Sequence, residues 1–170
     1  MKDDTSFVWG VNGIPWWYFH NHQNPEYKDK RVTSVDPDGS QWNRLGPEKI
    51  IGCIHAGWKG AINGIIENTL SKLEEIGGNP EKLSVCIGPC ISQKNYEVKN
   101  EFIDYFGNKF IDKVEDKFFC NLKGVASSQL QKLGIENVID CNQCTYENEN
   151  YHSYRRDKTS KRMTGLIYYE

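Results

Sequence analysis

Lys49-Ile50-Ile51-Gly52-Cys53-Ile54-His55-Ala56-Gly57-Trp58-Lys59-Gly60 is an apolar, β-branched run that empties into a glycine-rich turn. The run, residues 49–54, has the composition of a strand buried on both faces. Beyond the turn, Ile62, Ile65, Ile66, Leu70, Leu73 and Ile76 recur at helical spacing along one face, and the pattern stops at Gly77-Gly78. That spacing predicts one helix over 62–76, closed by a glycine C-cap. Strand, turn and helix together decide the fold class.

Outward from this unit the alternation continues. Residues 83–87 are read as the next strand, 98–106 as a helix, 122–133 as a helix ending at Gly134, 138–140 as a strand and 163–169 as a last strand. Strand-length runs alternating with helix-length runs imply an α/β fold, a layered mixed sheet with flanking helices. At 170 residues the chain suits a single domain. The chain changes character near Gly46. Residues 1–46 hold Trp9, Trp16, Trp17 and Trp42 with His20 and His22, yet repeat at neither period 2 nor period 3.6. They are read as an atypical N-terminal segment without an assigned element, joined to an α/β domain over 47–170.

Net charge is −2, which supplies none of the basic field that non-specific nucleic-acid or anionic-membrane binding requires. No apolar run of about 18 residues is present, and Met1-Lys2-Asp3-Asp4-Thr5 lacks the basic-then-apolar pattern of a secretory signal. A cytoplasmic protein acting on small molecules is expected, and its six cysteines are expected reduced, in the core or as metal ligands.

His55 falls at the carboxyl end of a strand, where open α/β sheets place ligands. The glycines let backbone approach a ligand closely, the helix start offers N–H groups to an anion, and Lys59 adds a point charge. Taken alone, such a His can equally cap backbone, and Trp58 can equally cover the core. A second constellation is Tyr151-His152-Ser153-Tyr154-Arg155-Arg156-Asp157. Paired guanidinium groups beside tyrosines suit an anionic or planar ligand, while a solvated turn with Arg156 paired to Asp157 fits as well. Third, Cys86, Cys90, Cys141 and Cys144 have a spacing that a four-sulfur zinc site can use, although Cys86 lies within the 83–87 strand as a small hydrophobe would.

In order along the chain, Ile51-Gly-Cys-Ile-His55-Ala-Gly-Trp-Lys-Gly60, Ile87-Gly-Pro-Cys90-Ile with Tyr96-Glu97-Val98, Cys144-Thr-Tyr-Glu-Asn148 and Ser153-Tyr-Arg-Arg-Asp157-Lys158 resemble the blocks of one bacterial family. That family was long labelled multicopper polyphenol oxidase or laccase-domain proteins and is understood as zinc-dependent purine nucleoside phosphorylases. The resemblance covers residues 49–170. It implies an α/β fold and phosphorolysis of adenosine or inosine to base and ribose 1-phosphate, with adenosine deaminase and methylthioadenosine phosphorylase activity in some members. It implies purine nucleoside and phosphate as partners and zinc as cofactor, held by two His and one Cys. His55 matches the last of those ligands and is the catalytic and metal candidate. Trp58, Lys59, Arg155 and Arg156 match the substrate and phosphate side.

The family's other two ligands lie upstream, a His followed by Gly and a Cys preceded by Asp. Here every cysteine is at position 53 or later, and the corresponding stretch reads Val35-Asp-Pro-Asp-Gly-Ser-Gln-Trp42. Asp36, Asp38, His20 and His22 are the substitute ligands to consider, and a truncated or inactive family member that only binds ligand is the alternative reading. Copper, which the older family label suggests, needs imidazoles in numbers that four His do not supply. A Cys-His hydrolase built on Cys53 and His55, which share a strand face, is a further alternative.

Overall fold

The computed structural model describes residues 5–9, 40–44, 50–161 and 163. His20, His22, Asp36 and Asp38 lie outside the described residues, as does the strand expected at 163–169 beyond Met163. Strands β1 (Thr5–Trp9), β2 (Ser40–Arg44), β3 (Ile50–Ile54), β4 (Leu83–Ile87) and β8 (Val138–Asp140) form a mixed sheet in the order β2-β3-β1-β4-β8. β1 runs parallel to both β3 and β4, β8 runs parallel to β4, and β2 closes the other edge antiparallel to β3. Two stretches for which the sequence assigned no element, 5–9 and 40–44, are therefore strands, and β1 sits in the middle of the sheet. Their pairing comes from partners far along the chain rather than from any local period.

The helix expected over 62–76 is two helices, α1 (Trp58–Ile62) and α2 (Ile65–Glu75). Gly64 separates them in the left-handed region, φ 74°, a conformation that lets the axis turn without a Cβ clash. The turn removes Ile62 from the expected face, and Ile62 is exposed while Ala61 is buried. Ile65, Ile66, Leu70 and Leu73 are buried as their spacing requires. The C-terminus of α2 closes as the sequence predicts. Gly77 adopts φ 84°, its N–H donates to Glu74 O and the Gly78 N–H donates to Leu73 O, which is the paired bonding of a Schellman cap. Helix α4 (Leu122–Lys132) ends in the same way, with Gly134 at φ 80° and the Ile135 N–H donating to Leu130 O.

In β4 Leu83, Val85 and Ile87 point into one layer, and Ser84 and Cys86 point to the other face, half-buried. Leu83 and Val85 meet Ile50 and Ile54 of β3, the inner face of α2, and Ala126 and Leu130 of α4 in the main core. Burying each such aliphatic side chain contributes about 1.5–3 kcal/mol, set against the entropy of ordering it.

Between β4 and α4 the chain builds a smaller layer. β5 (Glu97–Val98), β6 (Ile111–Val114) and β7 (Lys117–Cys120) form a second sheet, order β5-β7-β6, beside α3 (Phe102–Phe106). The helix expected over 98–106 is thus only its last turn and a half. Val98 pairs with Phe118 across the sheet, and that strand bond takes the residue out of the helix. A second core, containing Phe102, Ile111, Cys120, Leu122 and Val125, fills this layer, with Ala61 of α1 reaching into it.

Candidate functional site

Three parallel strands deliver chemistry to one edge of the main sheet. β3 ends just before His55, β4 ends before Gly88-Pro89-Cys90, and β8 ends before Cys141. With β1 between β3 and β4, and the chain crossing from one side of it to the other, this edge is the topological switch point where crevices form.

At the exit of β3 an open cleft of about 300 Å³ is lined by His55, Gly57, Trp58, Lys59, Gly60 and Ile65. His55, Trp58 and Lys59, three of the five residues singled out in the sequence, therefore share one cavity. Gly57 keeps φ −69° and ψ 172°, ordinary extended backbone. A Cβ there would stand 3.0 Å from His55 Nε2, so the missing side chain is what leaves the imidazole its place. α1 spans only five residues, and so short a helix has little macrodipole. The anion-attracting element of the cleft is then Lys59, which is exposed, with Nζ 5.4 Å from the Trp58 ring centroid. Cys53, the thiol of the hydrolase reading, is half-buried on β3 and is not among the cleft's lining residues.

Arg155 and Arg156 do not line this cleft. α5 (Tyr154–Asp157) is capped by Ser153, whose hydroxyl accepts from the Arg156 N–H, and the two guanidinium groups leave it in different directions. Arg155 donates from Nη1 to Glu97 O at 2.7 Å and lies over the Tyr96 ring, 5.3 Å from its centroid. Tyr96 meets Phe102 edge-on at 6.3 Å, and Phe102 meets Trp58 at 5.1 Å. An unbroken run of rings thus joins the cleft wall to Arg155. Trp58 also stacks with Tyr105 at 6.2 Å, which is 46% exposed. Tyr105 and Phe102 were not singled out in the sequence, because their part depends on packing against Trp58 from a distant helix.

Arg156 is a staple. Its Nη1 donates to Thr145 O, Tyr146 O and Asn148 O, Nη2 donates to Tyr151 O, and Nε and Nη2 both reach the Asp157 carboxylate. The two Nη1 N–H groups and one from Nη2 hold the 145–151 loop by its carbonyls, and the remaining N–H groups are engaged by Asp157. A hydrogen bond from Arg156 holds the Asp157 carboxyl below its usual range.

The four cysteines of the zinc reading fall at the ends of β4 and β8 and at the start of this loop. Cys90 and Cys144 form an isolated parallel bridge, and Cys141, whose N–H donates to Ile87 O, follows the strand that pairs with β4 beside Cys86. Among the described residues, however, no group of three or more His, Cys, Asp or Glu could hold a metal ion, so the four-sulfur site is not formed there. Burial pushes the Cys90 thiol up to about 12. Cys144 moves the other way. Burial raises it, but hydrogen bonds from Ser92 and from the main chain at Glu147 and Tyr146 outweigh that and lower it.

Residues 46–170 match the family described as multi-copper polyphenol oxidoreductase laccase. Two relatives are a Campylobacter jejuni protein named purine nucleoside phosphorylase Cj1217c, 35% identical over 121 residues, and an Escherichia coli protein named purine nucleoside phosphorylase YfiH, 34% identical over 133 residues. Those matches cover 70% and 74% of this chain and 53% of each relative, so the chain spans about half the length of these relatives. A crystal structure of the Neisseria meningitidis protein NMB0706 superposes with a TM-score of 0.58 at 26% identity, over 64% of this chain and 47% of that one.

Proposed function

The chain belongs to the multi-copper polyphenol oxidoreductase laccase family, and from that membership we propose that it acts on purine nucleosides, cleaving adenosine or inosine with phosphate to the free base and ribose 1-phosphate. The observation that carries the reading is that one cleft at the carboxyl end of β3 collects His55, Trp58 and Lys59. Relatives named purine nucleoside phosphorylase agree with it.

In phosphorolysis a phosphate oxygen bonds to the ribose anomeric carbon as the glycosidic bond breaks, and the base leaves with that bond's electron pair. The protein must hold phosphate beside the sugar and balance charge on the departing base. Lys59 supplies the cation for phosphate at the cleft mouth. Trp58, backed by Phe102 and Tyr105, supplies a flat face for the purine. His55 holds a proton or hydrogen bond at the reacting end in this reading, and Gly57 leaves it room. Arg155 extends the positive charge along the aromatic run.

Zinc belongs to the proposal through the family resemblance, and when bound it would polarise substrate or activate a water. A catalytic zinc takes three protein ligands. The described residues provide only His55 of that set, so they do not by themselves make a zinc site, and none of the steps above passes through the metal. Asp36, Asp38, His20 and His22 are the proposed remaining donors. Deamination of adenosine and cleavage of methylthioadenosine are further activities to be tested with it. Copper oxidase chemistry is not adopted, since four His in the whole chain are too few for several copper centres.

The incomplete ligand set favours one second reading, a chain that binds nucleoside or phosphate without turnover. One experiment separates the two. Purified protein and His55→Ala are compared for zinc content and for phosphate-dependent release of hypoxanthine from inosine. Near-stoichiometric zinc and activity, both lost in His55→Ala, are expected. Metal-free protein that binds inosine but releases no hypoxanthine would replace the enzyme reading with the binding one.

A further inference from the structure

We propose that Cys144 is a site of covalent modification by hydroperoxides, and that Cys90, its register partner, closes the oxidised sulfur into a disulfide. The pair lies outside the His55 cleft and rests on no step of phosphorolysis.

The two residues are 54 positions apart and meet as partners in a parallel bridge. The Cys90 N–H donates to Gln143 O at 3.1 Å, and the Thr145 N–H donates to Cys90 O at 3.0 Å. Register partners on neighbouring strands have Cα atoms about 4.8 Å apart, inside the roughly 4.4–6.8 Å range that disulfides span. A bond between them therefore needs side-chain rotation and no backbone transit.

Their surroundings assign the roles. Cys90 is 2% exposed and cannot meet an oxidant from solvent. Cys144 is half-buried, and donors point at its sulfur. The Ser92 N–H lies 3.3 Å from Sγ, and Asn95 Nδ2 lies 3.7 Å away. Ser92 Oγ stands 3.2 Å from Sγ and also 3.0 Å from Glu147 Oε1, so its single proton can turn to a thiolate when one forms. Lys94 Nζ, 3.1 Å from Glu147 Oε1, balances the nearby carboxylate. A partly exposed thiolate among N–H donors is the form that attacks peroxides, and a sealed thiol is the form that waits.

The chemistry balances with a hydroperoxide as the sole oxidant. Cys144 Sγ attacks the peroxide, an S–O bond forms, the O–O bond breaks, and water or alcohol leaves, giving a sulfenic acid. Cys90 Sγ then attacks Cys144 Sγ. The S–S bond forms, the S–O bond breaks, and the hydroxide that leaves takes the Cys90 proton as a second water. Two thiols are oxidised and one peroxide is reduced. The product ties the exit of β4 to the loop that Arg156 staples.

Full-length reduced protein is exposed to hydrogen peroxide, alkylated, digested with trypsin and mapped by mass spectrometry, beside Cys144→Ser, Cys90→Ala and Cys141→Ser. In wild type, peptides 83–94 and 133–155 are expected joined, and fragmentation places the bond at Cys90 and Cys144 rather than Cys86 and Cys141. Cys144 is expected to react on the order of tenfold faster than Cys86. Cys141→Ser leaves the bond intact and Cys144→Ser abolishes it. Cys90→Ala accumulates a sulfenic acid at Cys144 that dimedone captures. Oxidation spread evenly over Cys53, Cys86 and Cys141, a bond from Cys144 to another partner, or an inert Cys144 in wild type would each overturn the proposal. The wild-type map decides even if Cys90→Ala fails to fold.

Discussion

Replacing Gly57 by Ala tests whether the position of the His55 imidazole governs activity. The backbone at Gly57, φ −69° and ψ 172°, is open to alanine without strain, and the exchange lowers the entropy of the unfolded chain, a gain of about 0.4–1 kcal/mol. Against this, the new Cβ would stand 3.0 Å from Nε2, where unstrained contact begins near 3.5 Å. The ring must retreat by about 0.5 Å, at a cost of order 0.5–1.5 kcal/mol if its torsions leave a rotamer well. The two effects nearly cancel, so the urea midpoint stays close to wild type. Activity does not share that cancellation, because a misplacement near 1 Å can cost about 100-fold. We expect kcat/KM for inosine phosphorolysis to fall on the order of tenfold, read by hypoxanthine release on samples matched for folded fraction. Gly64→Ala is the opposite case. Nothing lies within 4 Å of its new Cβ, but φ 74° strains it, so stability falls by about 1 kcal/mol and activity per folded molecule holds. Full activity in a well-folded Gly57→Ala protein would show that imidazole position does not govern the rate, as would equal activity losses in both variants.

Other consequences concern stability. Leu73, fully buried at the centre of the main core, loses about 2–5 kcal/mol on replacement by Ala, measured as a shift in urea midpoint with unchanged slope. Arg156→Lys lowers the melting temperature, since one ammonium cannot reproduce a five-donor fork shared between four carbonyls and the Asp157 carboxylate, whereas the exposed Arg155→Lys leaves melting near wild type and raises KM for phosphate. The Asp157 carboxyl, held below its usual value by the Arg156 hydrogen bond, stabilises the folded chain at pH above the ordinary carboxylate value of about 4. That contribution is lost as pH falls through the depressed folded value. Limited proteolysis of the 145–151 loop should therefore accelerate at the acid end in wild type, and Arg156→Lys should flatten that acid step; a loop cleaved at the same rate across the range would contradict it.

How much was legible in the residues follows from the range of each interaction. The β3 strand, the glycine turn and the inner face of α2 were readable because burial of a strand and of one helical stripe leaves a local period. The two glycine caps were readable because positive φ selects glycine. The break between α1 and α2 was not, since a lone glycine in an apolar stripe reads as a tolerated interior residue. Nor was the β6–β7 hairpin, whose turn places Glu115, not glycine, at φ 55°. At the site, the His55-Trp58-Lys59 grouping was written in one continuous stretch and emerged as one cleft. The paired arginines looked alike in sequence, and tertiary structure separated them. Arg156 is consumed by carbonyls of a loop that only folding brings under it and by Asp157, and Arg155 reaches the Tyr96 ring just before β5. Cys90 and Cys144, like β1 and its neighbours, are matched by strand register across long stretches of chain, and register depends on how the whole sheet packs, which no local period encodes.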